Sequence, residues 1–223
     1  MSKKFSNLLL ALVAAGSLNA APGLPARSLH YQPEGRSAVC VNGTGLYNRA
    51  LYGAHSGFRM ECSDTPVFGI YLPGMGGNLS FKLPDGDCKA VYTAGRMDYT
   101  QGGVEIEAQV TRTSDAALWR LTNTTSHEVS VPVTFGGVSG KNFSRNGDLG
   151  VDKPDCFELK PQYCVGNKLA FSGDRLTVEF GTKKRREISL IIPASKGPVG
   201  DDNIFHGTIT LAPGQRKVVA YYP

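Results

Sequence analysis

Val104-Glu105-Ile106-Glu107-Ala108-Gln109-Val110 alternates apolar and polar side chains without a break. Such a period of two dries one face of a strand and wets the other. Ala117, Trp119 and Leu121 continue the pattern, and Asn123-Thr124-Thr125-Ser126 then reads as a turn. Val129, Val131, Val133 and Phe135 alternate again. Pro132 lacks a backbone donor, which predicts that this strand is an edge or is bulged there. Three such segments with short links predict an antiparallel meander.

The pattern extends in both directions. Leu176, Val178 and Phe180 face one way, residues 181–184 turn, and Ile188, Leu190 and Ile192 face back. Ile209 and Leu211 lead through Ala212-Pro213-Gly214-Gln215 to a last apolar phase at Val218, Ala220 and Tyr222. Upstream, residues 37–41 and 56–62 read as short strands around a glycine- and tyrosine-rich connection at 42–53. An apolar run at 66–72, a tight turn at 73–78, a strand at 79–83 and a turn at 84–87 follow. No stretch of ten residues shows a helical period. Glycine (27) and proline (13) make up about 18% of the 223 residues, against a usual ~12%. The sequence therefore predicts an all-β fold, a two-sheet antiparallel β-sandwich with long Gly/Tyr-rich loops.

Residues 1–20 have the form of a signal peptide: Lys3 and Lys4, an apolar run from Leu8 to Ala15, and Leu18-Asn19-Ala20 at the cleavage point. Residues 21–28 read as a leader and 29–223 as one domain. Export implies a periplasmic or secreted protein with no transmembrane segment after cleavage. Losing Lys3 and Lys4 lowers the formal charge from +5 to +3, which is no nucleic-acid signature.

Five cysteines remain: Cys40, Cys62, Cys88, Cys156 and Cys164. Export permits disulfides, and the spacing of Cys156 and Cys164 around Pro161 makes that pair the first choice. The competing reading is five buried free thiols. No CxxC pair or histidine spacing suggests zinc.

Candidate sites are few. Gly74-Met75-Gly76-Gly77 has no following Lys-Ser or Lys-Thr and is no P-loop. Asn146, Asp148 and Asp152 in a glycine-flanked loop are calcium candidates, although an Asx-rich turn explains them equally. No other cofactor is expected. Lys183 to Arg186 is a cationic hairpin tip. His30, His55, His127 and His206 are available bases, and Asp98, Glu105, Glu107 and Glu128 available acids, but neither Gly-x-Ser-x-Gly nor His-Glu-x-x-His occurs. The aromatic residues carry the best case for a ligand or partner surface. Tyr47, Asn48, Arg49, Tyr52, Tyr71, Asn78, Arg96 and Asp98 are the candidates, with Arg59 a further hydroxyl-binding cation.

Four stretches carry a family resemblance: Leu29-His30-Tyr31-Gln32-Pro33-Glu34-Gly35, Asn48-Arg49-Ala50-Leu51-Tyr52-Gly53, Tyr71-Leu72-Pro73-Gly74-Met75-Gly76-Gly77-Asn78 and Arg145-Asn146-Gly147-Asp148-Leu149-Gly150. They resemble DUF4450, a family of domains of unknown function from gut Bacteroidetes. Its members typically form the exported N-terminal β-sandwich of longer proteins, often ahead of a glycoside-hydrolase-like helical toroid. The resemblance covers nearly all of residues 28–223 and brings no catalytic residues with it. No toroid follows Tyr221-Tyr222-Pro223, so a split gene, a truncated member or a free-standing accessory protein is expected. The resemblance implies a non-catalytic accessory or structural domain of an exported carbohydrate-active system, docking to a catalytic partner domain or protein. The alternatives are a carbohydrate-binding module, with a glycan as partner, and a small glycan-active hydrolase. Loops 45–53 and 71–78 are the expected contact surface.

Overall fold

The alternation that begins at Val104 is present in the computed structural model. The structure describes residues 38–41, 47–53, 58–72, 75–93, 95–111, 114–138, 145–146, 151–152, 159, 161–179, 187–193 and 202–223. The expected signal peptide, the expected leader and the expected 181–184 turn lie outside the described residues.

Strands are numbered along the chain. β1 (Ala38–Val41), β6 (Lys89–Thr93), β7 (Arg96–Gln101), β8 (Val104–Val110), β9 (Ala117–Asn123), β17 (Arg216–Tyr222), β15 (Glu187–Ile191), β14 (Arg175–Glu179) and β13 (Lys168–Ser172) form, in that order, a nine-stranded sheet. β16 (Phe205–Leu211), β10 (Val129–Val138), β5 (Met75–Phe81), β4 (Val67–Leu72), β3 (Arg59–Ser63) and β2 (Tyr47–Tyr52) form a six-stranded sheet. β11 (Arg145–Asn146) pairs only with β12 (Val151–Asp152), and α1 (Pro161–Cys164) is a single helical turn. All pairings in both large sheets are antiparallel. The fold is the expected all-β sandwich.

The core lies between the sheets. Val104, Ile106 and Ala108 of β8 are buried, with Ile106 opposite Leu121 and Ala108 opposite Trp119 of β9. From the other sheet Phe68 meets Trp119 and Tyr99, each with ring centroids 5.5 Å apart. Edge-on ring contacts of this kind add to the gain from burial. The Tyr99 hydroxyl also donates across the gap to the Ser63 carbonyl at 2.6 Å.

Three expectations are corrected. First, β8, β9 and β10 are not one meander, because β10 crosses to the six-stranded sheet. Asn123 fixes that crossing. Its amide donates to the carbonyls of His127 (2.7 Å) and Leu211 (2.9 Å), and its Oδ1 accepts from the Thr125 N–H and hydroxyl. Second, β10 is not an edge, since β16 and β5 flank it. Pro132 is tolerated because β5 ends at Phe81, opposite Val133. Its carbonyl still accepts from the Lys82 N–H at 2.9 Å, and only the return bond is lost. Third, the supposed loops at 45–53 and 71–78 contain β2, the end of β4 and the start of β5. Their glycines act in the sheet: a Cβ on Gly77 would stand 3.4 Å from the Gly136 carbonyl oxygen of the neighbouring strand.

The last hairpin has the opposite phase to the one its sequence suggests. Val219 and Tyr221 enter the core, with Val219 opposite Trp119, so Val218, Ala220 and Tyr222 take the outer face.

The expected Cys156–Cys164 disulfide is not formed. Cys164 is a buried free thiol, as Cys62 is, and Cys88 is also free but only partly covered. The Cys164 sulfur packs over β10, 3.6 Å from where a Cβ on Gly136 would lie. Burial, reinforced by the charge of Asp202, pushes this thiol up to about 11. Cys156 lies outside the described residues.

Candidate functional site

The outer face of the six-stranded sheet gathers some of the expected residues. Antiparallel register sets Tyr52 opposite Arg59 and Arg59 opposite Tyr71. One pleat along, Glu61 faces Gly69, Gly69 faces Asn78 and Asn78 faces Gly136. All five residues of β3 are buried, so at β3 the outer side is covered as well as the inner one. Arg59 donates from Nε to Glu61 Oε1, a charge-assisted bond between two buried side chains. The Arg59 guanidinium carbon sits 4.1 Å from the Tyr71 ring centroid, a cation–π contact. Asn78 is buried and Tyr52 is 69% exposed at the rim.

Part of the cover is visible. A Cβ on Gly136 would come within 2.7 Å of Leu159 Cδ2 and 3.6 Å of Ile204 Cγ1. Asn167, just after α1, donates to the Gly137 carbonyl at 2.7 Å. Gly136 thus lets the α1 segment lie directly on β10. The Arg59–Glu61 pair, held under cover and stacked on Tyr71, is built as a structural clamp. Glu61 is the member that sequence reasoning missed. Its alternation with Met60 and Cys62 looks the same as that of a solvated strand.

Tyr47, Asn48 and Arg49 belong to β2, the sheet edge, with a register irregularity between Tyr47 and Arg49. Arg96 and Asp98 lie on the other sheet. Arg96 holds Asp98 Oδ2 through Nε (3.0 Å) and Nη2 (2.7 Å). Asp98 stands opposite Glu107, and Glu107 opposite Arg120, which pairs with it at 2.9 Å. Burial raises the Asp98 carboxyl above its ordinary value; the Arg96 hydrogen bond and charge oppose this, and Glu107 and Glu105 add to the rise. These four side chains form an ion ladder remote from Tyr71 and Asn78. Asn146 and Asp152 lie on β11 and β12, where Arg145 is opposite Asp152 and Asn146 opposite Val151. Asp148 lies outside the described residues, and no group of three metal-ligating side chains occurs among the described ones.

A second outer-face feature is an open cleft of about 480 Å³ at one end of the six-stranded sheet. Val67, Ser80 and Thr134 form its base in one register row. Thr65, Pro66, Lys82, Leu83, Asp85 and Pro132 surround them. Gln101 reaches in from β7, tied to the Gly86 carbonyl at 2.8 Å. Among the residues lining this cleft, Asp85 is the one carboxylate and Lys82 the one ammonium.

The outer face of the nine-stranded sheet carries an apolar stripe beside the ion ladder. Leu118 is opposite Ala220, and Ala220 opposite Ile191. Val218 and Tyr222 are 45% and 43% exposed on the same face. Among the described residues no helix is long and apolar enough to cross a membrane.

Residues 72–193, more than half of the chain, match a family model described as a domain of unknown function, DUF4450. No curated protein matches the chain. A solved polysaccharide lyase aligns with 83% of this chain and 32% of its own, at 10% identity and a TM-score of 0.30. The chain therefore spans about a third of that lyase, and a likeness at this level carries no functional argument.

Proposed function

The chain belongs to the DUF4450 family, and from that premise we propose a non-catalytic accessory β-sandwich of an exported carbohydrate-active system that docks onto a catalytic partner. Export follows the signal-peptide form of residues 1–20 and gives a periplasmic or secreted location. The observation that carries docking is the outer face of β17. Val218-Val219-Ala220-Tyr221-Tyr222 is apolar at every position. Such a run suits a strand covered on both faces, whereas a sheet with one solvated face alternates. Val219 and Tyr221 meet the core, yet Val218 and Tyr222 are open. An apolar stripe of this kind marks an interaction surface. It replaces loops 45–53 and 71–78 as the favoured contact.

Two measurements test the reading. Pure chain incubated with a panel of polysaccharides is expected to release no reducing ends or unsaturated products; release would overturn the non-catalytic assignment. A carbohydrate-active enzyme encoded beside this chain is expected to bind it. Val218→Asp should weaken that binding at least about tenfold, as for a central apolar contact. Equal binding by the variant would remove the stripe from the interface.

A further inference from the structure

We propose that the cleft over Val67, Ser80 and Thr134 is a binding subsite for a neutral pyranose unit within a polysaccharide. The inference rests on the carbohydrate context of the proposed function and adds a site to it. Its volume, about 480 Å³, falls in the range of small-molecule sites, roughly 300–1,000 Å³. The chemistry is specific. Ser80 and Thr134 stand directly opposite each other on neighbouring strands, and they bring two side-chain hydroxyls to the base. Lys82 and Asp85 stand at the exposed rim, and neither is engaged in an ion pair among the described residues. An ammonium that only donates and a carboxylate that only accepts match the two halves of a sugar hydroxyl pair.

The walls fit the rest of a sugar ring. Pro132, exposed beside the hydroxyls, offers apolar surface, on which the C–H face of a pyranose can lie while its hydroxyls reach the polar groups. One positive and one negative rim charge favour a ligand of no net charge; an acidic sugar would place its carboxylate near Asp85. The cleft is open rather than enclosed, so a polymer can enter and leave along it. It also lies on the outer face of the six-stranded sheet, whereas the apolar stripe lies on that of the nine-stranded sheet. Glycan and partner can therefore be held together.

The test is titration calorimetry of the full chain with hexasaccharides of neutral β-glucan, mannan, xylan and galactan, and with polygalacturonate. Saturable binding of at least one neutral hexasaccharide is expected. Lys82→Ala and Asp85→Ala should each weaken it roughly tenfold, the loss of a charge-assisted hydrogen bond. Both side chains are exposed, and an unchanged melting temperature would show that the variants are folded. Val218→Asp should leave glycan binding intact while weakening the catalytic partner, which separates failure of this site from failure of the docking proposal. No binding of any neutral hexasaccharide at millimolar concentration, binding of polygalacturonate alone, or binding untouched by both rim variants would each overturn the site.

Discussion

Arg59-Met60-Glu61 on β3 and Glu105-Ile106-Glu107 on β8 are written in the same alphabet, with charges alternating around a core residue. Their charged faces have opposite fates. Arg59 and Glu61 are 6% and 7% exposed and paired to each other, with Arg59 stacked on Tyr71. Glu105 is exposed, and Glu107 sits in a partly open ladder with Arg120. Alternation shows which side of a strand meets the core. It does not show what lies on the other side, because a cover comes from segments distant in sequence, as Leu159 and α1 do over Gly136 of β10. One sandwich thus has a polar outer face that is covered at β3 and another outer face that is open and partly apolar.

Removing one half of the covered pair should have the largest effect. Glu61→Ala leaves a buried guanidinium, at a cost of about 3–5 kcal/mol. For a chain of this size each kcal/mol lowers the melting temperature by about 2–4 °C. Replacing both residues, Arg59→Met with Glu61→Leu, should be much milder, since no buried charge is left. Thermal denaturation of the three proteins checks this, and a double variant as unstable as the single one would contradict the reading of the pair as a clamp.

Asn123→Ala should come next, at about 2–3 kcal/mol, because it leaves the buried carbonyl of Leu211 and the Thr125 N–H without their partner. Chemical denaturation measures it. The effect should match the corner that carries β9 into β10, and it should be insensitive to salt.

On the open face the effects shrink and become pH-dependent. The Asp98 carboxyl is raised, so the folded state holds its proton more tightly than the unfolded one. Its favourable contribution is therefore complete below the unfolded carboxylate pKa and is lost as pH rises through the folded one. Relative to Asp98→Asn, wild type should lose stability as pH rises above the ordinary carboxylate value of about 4. A flat difference across that window would remove the raised pKa. Arg120→Ala, which breaks a partly exposed pair, should cost no more than about 1 kcal/mol.

Much of the fold was legible. β8, β9 and the apolar phase of β10 follow from period two alone, and Trp119 is buried where that period places it. β7 was harder, since Arg96-Met97-Asp98-Tyr99-Thr100-Gln101 is mostly polar. Yet Gly102 and Gly103, with φ of 54° and 76°, make the tight turn that joins it to β8. That Gly-Gly pair was the available signal. β2 and the start of β5 were hidden because their tyrosines and glycines resemble loop composition, while at Gly136 the glycine serves close packing of a cover on a sheet. The site was less legible. Tyr52, Tyr71 and Asn78 share one face of the six-stranded sheet, but Arg96 and Asp98 belong to the other sheet. The cleft joins Ser80, Lys82 and Thr134 from strands and a link distant in sequence, so no local motif could mark it. The last hairpin was read one residue out of phase because Val218 to Tyr222 is apolar throughout. That ambiguity is the feature on which the docking proposal stands.

The most direct test of that proposal is cysteine labelling at two positions, Val218→Cys on the open face and Tyr52→Cys on the other sheet. Both sites are exposed in the free chain, and burial raises the thiols of Cys62 and Cys164, which slows their reaction. With a carbohydrate-active enzyme encoded beside this chain, maleimide labelling at position 218 should slow at least about tenfold, as for a central contact, while position 52 stays unchanged. Unchanged labelling at 218, or protection at 52 instead, would contradict the account.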